Sequence, residues 1–324
     1  MRKIELDLIR VLALLLVILQ HSCSMLEVSG PVFNCLWMGV PLFVMLSGSL
    51  QLKPSYSGAS VLNYYSRRYA RILPPFLVWG LIVYVISALM HKYDQVQTAG
   101  DAFRHFIPFL VTNRINEAFW YVYLIAALYL VTPLLKVIFA GRSGTRILTC
   151  CIAVWLVAAV LRDFFPSLPV FSALPVTGRF AGYWLGFYLC GHYLMNIARR
   201  KPGPGCAAAV FALALAASIV LSSRGIASLS LQILQAVSLF SALTELRVSP
   251  SNLLTDMSRY SYTAYLTHFM IIGLLYTALP AVFPQRWYTP LYTAPVVLAA
   301  EFVFCRALDS IKRLPGWLTG IARR

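Results

Sequence analysis

The chain has 324 residues, 60% of them hydrophobic and only 12% charged, with a mean hydropathy of +0.74. Soluble globular domains carry about twice that charged fraction, so a soluble enzyme or binding module is excluded and a polytopic membrane protein is expected. The formal net charge of +16 does not point to nucleic acid, because the Lys and Arg residues sit in short loops between apolar runs and not on one face of a soluble module.

The first apolar segment, from Leu6 to His21, reads as a helix with Arg10 near its start and His21 near its far end. On an α-helix that separation is about 16 Å of rise and about three turns, so both side chains lie on nearly one face. Ionisable groups within a membrane span are costly and mark a functional site by default. The plainer alternatives are a snorkelling Arg10 and a hydrogen-bonded core His21. Met1-Arg-Lys before an apolar run imitates a signal peptide, but Asp7 and Arg10 interrupt the run and no convincing small-residue cleavage site follows, so this helix is expected to stay.

Windows able to cross a bilayer fall at about 8–26, 34–52, 72–91, 118–140, 146–162, 178–198, 205–222, 226–245, 260–280 and 288–308, or roughly ten helices. With the N-terminus inside, the inner loops collect Arg2, Lys3, Lys53, Arg67, Arg68, Arg71, Lys136, Arg142, Arg146, Arg199, Arg200, Lys201, Arg247, Arg259, Arg306, Lys312, Arg313, Arg323 and Arg324. The outer ones keep Lys92, Arg104, Arg114, Arg162, Arg179, Arg224 and Arg286. That bias predicts an all-α bundle of about ten transmembrane helices with both termini cytoplasmic. The longest loop, about 92–117, holds too little apolar content to fold alone, so residues 1–324 read as one domain.

Gly178, Gly182 and Gly186 recur every fourth residue of the sixth window, a small-residue face for close helix approach. Trp120, Tyr121, Tyr123, Tyr183, Trp184, Trp287 and Tyr288 lie near outer window ends, as an interfacial belt would; sugar stacking is the alternative for Trp120 and Tyr121. The seven cysteines form no C-x-x-C pair and no His stands at metal-ligand spacing, so no metal is expected and they read as buried small hydrophobes.

Three further features carry chemistry. Arg67, Arg68 and Arg71 crowd one short segment before Pro74 and Pro75, and guanidinium forks suit phosphate oxygens; a positive-inside stop signal touching lipid phosphates is the alternative. In Ser258-Arg-Tyr-Ser261-Tyr-Thr-Ala-Tyr265-Leu-Thr-His268, the imidazole is expected about 14 Å into its helix, with Tyr265 and Ser261 on adjoining turns. It could orient substrate, relay a proton, or satisfy itself in the core. Glu301, inside the tenth window, needs a partner, and Arg306, Arg10 and His268 are candidates. There is no Gly-rich phosphate loop, G-x-S-x-G or H-E-x-x-H, so ATP hydrolysis, a serine hydrolase and zincin chemistry lose support and a reaction here would use an activated donor.

Arg10-x10-His21, Gly39-Val-Pro-Leu-Phe-Val-Met-Leu-Ser-Gly48, Arg67-Arg68-x-x-Arg71-Ile-x-Pro, Phe119-Trp-Tyr-Val-Tyr-Leu with Tyr129-Leu-Val-Thr-Pro133, and Ser261-Tyr-x-x-Tyr265-Leu-x-His268 together resemble the membrane acyltransferase-3 family over almost the whole chain. The likeness is strongest to its compact surface-polysaccharide O-acetyltransferases. Ser49 departs from the Tyr or Phe that many relatives carry there. The resemblance implies a multi-pass protein of the bacterial inner membrane. It also implies transfer of an acyl group, usually acetyl, from cytoplasmic acetyl-CoA or another acyl-CoA to a hydroxyl of a glycan or glycolipid at the outer face. The family's Arg-x10-His pair maps onto Arg10 and His21, and its Arg-x-x-Arg motif onto Arg68 and Arg71. Phosphate-bearing CoA would meet these arginines with Arg67 at the inner mouth, and His21 would serve as general base or acyl carrier. Trp120, Tyr121, Tyr265, His268 and Glu301 are expected to support the site or bind substrate. The partners expected are acyl-CoA, the acceptor and membrane lipids, with no nucleic acid. A transporter with an intramembrane His and Arg path is the competing class; it needs no thioester and often shows internal repeats, and none is convincing here.

Overall fold

A computed structural model of the chain describes residues 3–34, 36–53, 60–141, 143–168, 182–198, 202–311 and 314–321. Gly178, Cys35 and several loop cations, Arg142, Arg179 and Arg199 to Lys201 among them, lie outside the described residues. Within them the regular structure is helical throughout: α1 (Ile4–Met25), the single turn α2 (Pro31–Asn34), α3 (Gly39–Gln51), α4 (Val61–Leu89), α5 (Ala99–Val111), a 3-10 turn (Glu117–Phe119) running into α6 (Trp120–Ala140), α7 (Gly144–Phe164), α8 (Gly182–Asn196), α9 (Pro204–Ser223), α10 (Leu229–Glu245), α11 (Asn252–Ala278), α12 (Thr289–Ser310) and the short α13 (Gly316–Thr319).

A helix occupies each apolar window, and among the described residues six are long and apolar enough to cross a membrane: α1, α4, α6 with its 3-10 turn, α7, α9 and α12. Helices α3 and α10 are apolar but shorter. Two helices begin well before their hydropathy windows because polar caps start them. Ser60 accepts the Asn63 N–H at 3.2 Å to open α4, and Ser251 accepts the Leu254 N–H at 3.4 Å to open α11. With α11 starting at Asn252, His268 lies about 24 Å from its first residue, deeper than the expected 14 Å. The outward faces stay apolar: Val137, Val154 and Leu213 are 75%, 69% and 72% exposed, a surface that suits lipid and not water. The protein is a multi-pass membrane protein.

Helix α1 packs against α3, α11 and α12. Its run with α11 is in register: Arg10 meets Ser258 and His21 meets His268, so equivalent contacts recur after eleven residues on one helix and ten on the other and the two helices run parallel. Helix α3 runs the other way, for Gly39 packs on Ala13 and Val17 while Ser47, two turns on, lies in reach of Tyr121 and Tyr129, the tyrosines nearest Arg10. Helices α3 and α8 approach most closely. A Cβ on Gly48 would stand 1.8 Å from the Tyr188 carbonyl oxygen, and one on Gly191 2.0 Å from that of Met45. Of the expected glycine stripe, Gly186 packs on the Trp155 ring of α7, and the close backbone approach of α8 to α3 falls to Gly191, outside the stripe.

The cysteine expectation is half corrected: Cys23, Cys190 and Cys305 are buried, whereas Cys150, Cys151 and Cys206 are exposed on the outward faces of α7 and α9. Past α12 the chain turns back into the bundle. The Thr319 carbonyl accepts from Trp79 Nε1 of α4 at 3.3 Å and from Thr263 Oγ1 of α11 at 2.8 Å. Gly320 then takes φ +83°, which glycine adopts without a Cβ penalty.

Candidate active site

Two polar layers lie along the α1–α11 seam, about 16 Å apart. In the inner layer the buried Asp7 carboxylate accepts from Ser258 Oγ at 2.6 Å and from Arg10 Nη1 at 3.3 Å, and Arg10 Nη1 also donates to Ser258 Oγ at 3.3 Å. The i, i+3 spacing on one helix brings Asp7 and Arg10 together, and Ser258 ties the pair to α11. The guanidinium keeps 30% of its side-chain surface exposed while Asp7 keeps 1%. Arg10 is thereby held rigidly with its charge facing the bundle interior.

On α6, Tyr129 lies within electrostatic reach of Arg68, Arg10 and Arg71 together, and Ser47 of α3 is within hydrogen-bonding reach of its hydroxyl. The Arg68 guanidinium and the Lys136 ammonium sit 5.8 and 5.5 Å from the Tyr64 ring centroid. Arg10, Arg68 and Arg71 therefore all lie in the neighbourhood of Tyr129. Arg67, at a different angle on α4, is not among the cations that act on Tyr129; it is exposed, as is Arg71, whereas Arg68 is half-buried.

The outer layer holds the imidazoles. His21 is half-buried, with its ring centroid 5.2 Å from that of His268 and 5.5 Å from that of Phe269. His268 is fully buried. Its Nδ1 stands 2.6 Å from the Tyr265 carbonyl, and its Nε2 has no hydrogen-bond partner among the described residues. The Tyr265 ring packs tilted against that of His268 at 5.5 Å and edge-on against that of Tyr121 at 5.2 Å, and its hydroxyl donates to the Ala118 carbonyl. Since Tyr121 also feels the charge of Arg10, the column Arg10, Tyr121, Tyr265, His268, His21 connects the two layers.

Arg10 and His21 keep the separation expected along one continuous helix and mark opposite ends of the column. The expected partner of Glu301 is corrected. Glu301 is not paired with Arg306, which is exposed, or with Arg10 or His268. Its carboxyl oxygens lie 2.9 and 2.8 Å from Thr267 Oγ1, which also stands 3.0 Å from the Thr263 carbonyl. One hydroxyl hydrogen cannot serve three acceptor oxygens. The geometry closes when the carboxyl donates to Thr267 and Thr267 donates to Thr263. Glu301→Gln, a neutral isostere with its own donor, is therefore expected to unfold in detergent within about 0.5 kcal/mol of wild type, while Glu301→Leu loses about 1–3 kcal/mol. Thermal unfolding of the purified proteins checks this, and a Gln variant as unstable as Leu would show that the carboxylate charge matters.

Trp120 and Tyr121 do not form a joint platform, because adjacent helical residues point about 100° apart. Trp120 packs on Trp184 at 5.2 Å, and Trp184 on Trp37 at 6.2 Å. Trp287 and Tyr288 are exposed, as an interfacial belt requires, but Tyr121, Tyr183 and Trp184 are buried; Tyr121 is so because α6 starts at the depth of Tyr265, inside the bundle.

Sequence reasoning missed Asp7, Ser258, Tyr129 and Thr267 as site components. Asp7, a carboxylate three residues before Arg10 in an apolar run, carried a readable signal; the hydroxyls did not, since Ser and Thr are common in any span. Among the described residues, no group of three or more His, Cys, Asp or Glu is placed to hold a metal ion.

The model of the acyltransferase-3 family, described as an acyltransferase domain, matches residues 3–305. Searches among curated proteins and among solved structures found no match. The match runs from before Asp7 to past Glu301 and so takes in both polar layers, and with the apolar helices around them it identifies the chain as a membrane acyltransferase of the acyltransferase-3 family.

Proposed function

We propose that the protein transfers an acyl group, in the first instance acetyl, from acyl-CoA at the inner membrane face to a hydroxyl of a glycan or glycolipid at the outer face. In this reading about ten spans cross the bacterial inner membrane with both termini inside. The observation that carries it is the two-layer column: a cluster of arginines at one end of α1 and an imidazole pair at the other, joined by tyrosines inside an apolar bundle. The inner layer suits a ligand bearing several phosphates, which guanidinium groups hold through charge-assisted hydrogen bonds. The outer layer suits proton abstraction from an alcohol.

In the direct reaction His21 takes the acceptor O–H proton as the oxygen attacks the thioester carbonyl. The C–S bond then breaks and the thiolate takes a proton, giving ester and free CoA thiol. If His21 is instead acylated first, the same nitrogen forms the new bond and the acceptor attacks in a second step. Both routes need an unprotonated His21 nitrogen open to the interior, and this ring is half-buried while its neighbour His268 is closed.

Arg68→Ala and Arg71→Ala are each expected to weaken CoA binding about tenfold, the loss of one charge-assisted contact, and to leave thiol release at saturating donor largely intact. Titration calorimetry with CoA measures the first effect, and Arg67→Ala, at a residue outside the group of arginines acting on Tyr129, should do less. The reading itself is tested by thiol release from acetyl-CoA by the protein in lipid nanodiscs with a pooled glycolipid extract, wild type against His21→Ala. Acceptor-dependent release lost in the variant supports it. A wild-type protein that neither binds CoA nor releases thiol would overturn it in favour of a transporter.

A further inference from the structure

We infer that His268 is a positioning residue that orients the His21 imidazole and stabilises its protonated form during transfer; the inference rests on the acyltransferase reading above. The Tyr265 carbonyl is an acceptor only, so the His268 Nδ1 that stands 2.6 Å from it carries the hydrogen. That fixes the tautomer: Nε2 holds a lone pair. This lone pair is on a residue with no exposed surface and has no partner among the described residues, a costly arrangement for a buried acceptor.

What lies beside it is His21. Ring centroids 5.2 Å apart allow a nitrogen of each ring to approach to about 3 Å when the half-buried His21 ring turns, which is hydrogen-bond distance. One N–H of His21 then points at His268 Nε2 and its other nitrogen, a lone pair, points away toward the acceptor hydroxyl. When that nitrogen takes the acceptor proton, the charge on the imidazolium is shared with the Nε2 acceptor. No atom is exchanged with His268, whose Nδ1 keeps its hydrogen and goes on donating it to the Tyr265 carbonyl.

Other titratable groups face this turn of α11 less directly. Glu301 of α12 reaches it through Thr267, with Cys305 one turn beyond, and Tyr121 of α6 reaches it through Tyr265. From α4 it is the Ile72 carbonyl and the Trp79 indole that meet α11 and the tail docked on it. Among the described titratable groups, His21 and the tilted Tyr265 are those in direct ring contact with His268.

Two substitutions separate the two nitrogens. In His268→Asn the amide reaches the Nδ1 position and keeps the bond to the Tyr265 carbonyl, but leaves nothing where Nε2 was. In His268→Gln the amide reaches the Nε2 position. The experiment measures thiol release in nanodiscs against acetyl-CoA concentration and pH, with folding followed by thermal unfolding and CoA titration. The expected result for Asn is a kcat lowered about 10- to 100-fold, as for other second-sphere partners of functional histidines, with KM for acetyl-CoA unchanged. The acid limb of its profile should move to lower pH, because an imidazolium without its acceptor gives up its proton more readily. Gln should restore most of kcat and the position of the limb. Wild-type kcat and limb in the Asn variant, equal losses in both variants with an unmoved limb, or failure of the Asn variant to fold would each overturn the inference. Full activity in His21→Ala would instead overturn the reading beneath it.

Discussion

A His21→Ala protein is expected to fold, bind CoA as wild type does, and release CoA thiol at a rate lower by about 10²–10⁴-fold, the range that a positioned general base contributes. Folding should survive because the ring is half-buried at the outer part of α1 and none of the helix-to-helix hydrogen bonds described for the column depends on it. CoA binding should survive because Arg10, Arg68 and Arg71 stand at the other end of the column. Thiol release at saturating acetyl-CoA, run beside calorimetric CoA binding, measures both. A folded variant with wild-type turnover would remove His21 from the chemistry, and one that lost CoA binding would move the donor's reactive end, or the whole donor site, to a place the inner arginines do not mark.

Gly48→Ala and Gly191→Ala are expected to prevent accumulation of folded protein. The added carbon would meet a carbonyl oxygen at 1.8 or 2.0 Å, and both obstacles are helix backbone that cannot rotate aside. Helices α3 and α8 would have to part by on the order of an ångström along a closely packed contact, and overpacking of a rigid core costs about 1–3 kcal/mol and at times more. A second consequence follows from what α3 carries: Ser47, beside Gly48, reaches Tyr129 near the arginines, so displacement of α3 disturbs the donor end as well. Gly205→Ala on α9, where nothing lies within 4 Å, is the control and should be neutral or slightly stabilising. Size-exclusion profiles and thermal unfolding in detergent separate these outcomes; a Gly48→Ala protein with the wild-type profile would mean that α3 and α8 can slide apart without loss.

Much of this was legible in the sequence, for physical reasons. Apolar runs long enough to cross a bilayer can be little else than helices, because lipid offers the backbone no partners, and so every window holds a helix. Arg10, His21, His268 and Glu301 stood out because charge inside such runs is costly. What periodicity could not supply was who meets whom. Glu301 rests on Thr267, an unremarkable residue in the string, and the near-equal spacings of Arg10 to His21 (eleven residues) and Ser258 to His268 (ten) became informative only once α1 and α11 were seen to run parallel. Trp120 and Tyr121 were misjudged for a different reason: window ends locate the apolar stretch but not the depth at which a helix begins, and the start of α6 is fixed by a Tyr265 bond from another part of the chain.

The inward turn of the chain after α12 bears on how the protein is handled in the laboratory. Ile321 is 2% exposed, and the Thr319 carbonyl is gripped by both α4 and α11. A reporter joined directly after Ile321 would pull on the packing of the two helices that carry Arg68, Arg71 and His268, and loss of signal could be misread as a wrong orientation in the membrane. Topology reporters belong instead in a surface turn such as Arg224 to Gly225, where nothing packs within 4 Å of Gly225, and a purification tag at the tail needs a flexible spacer before it.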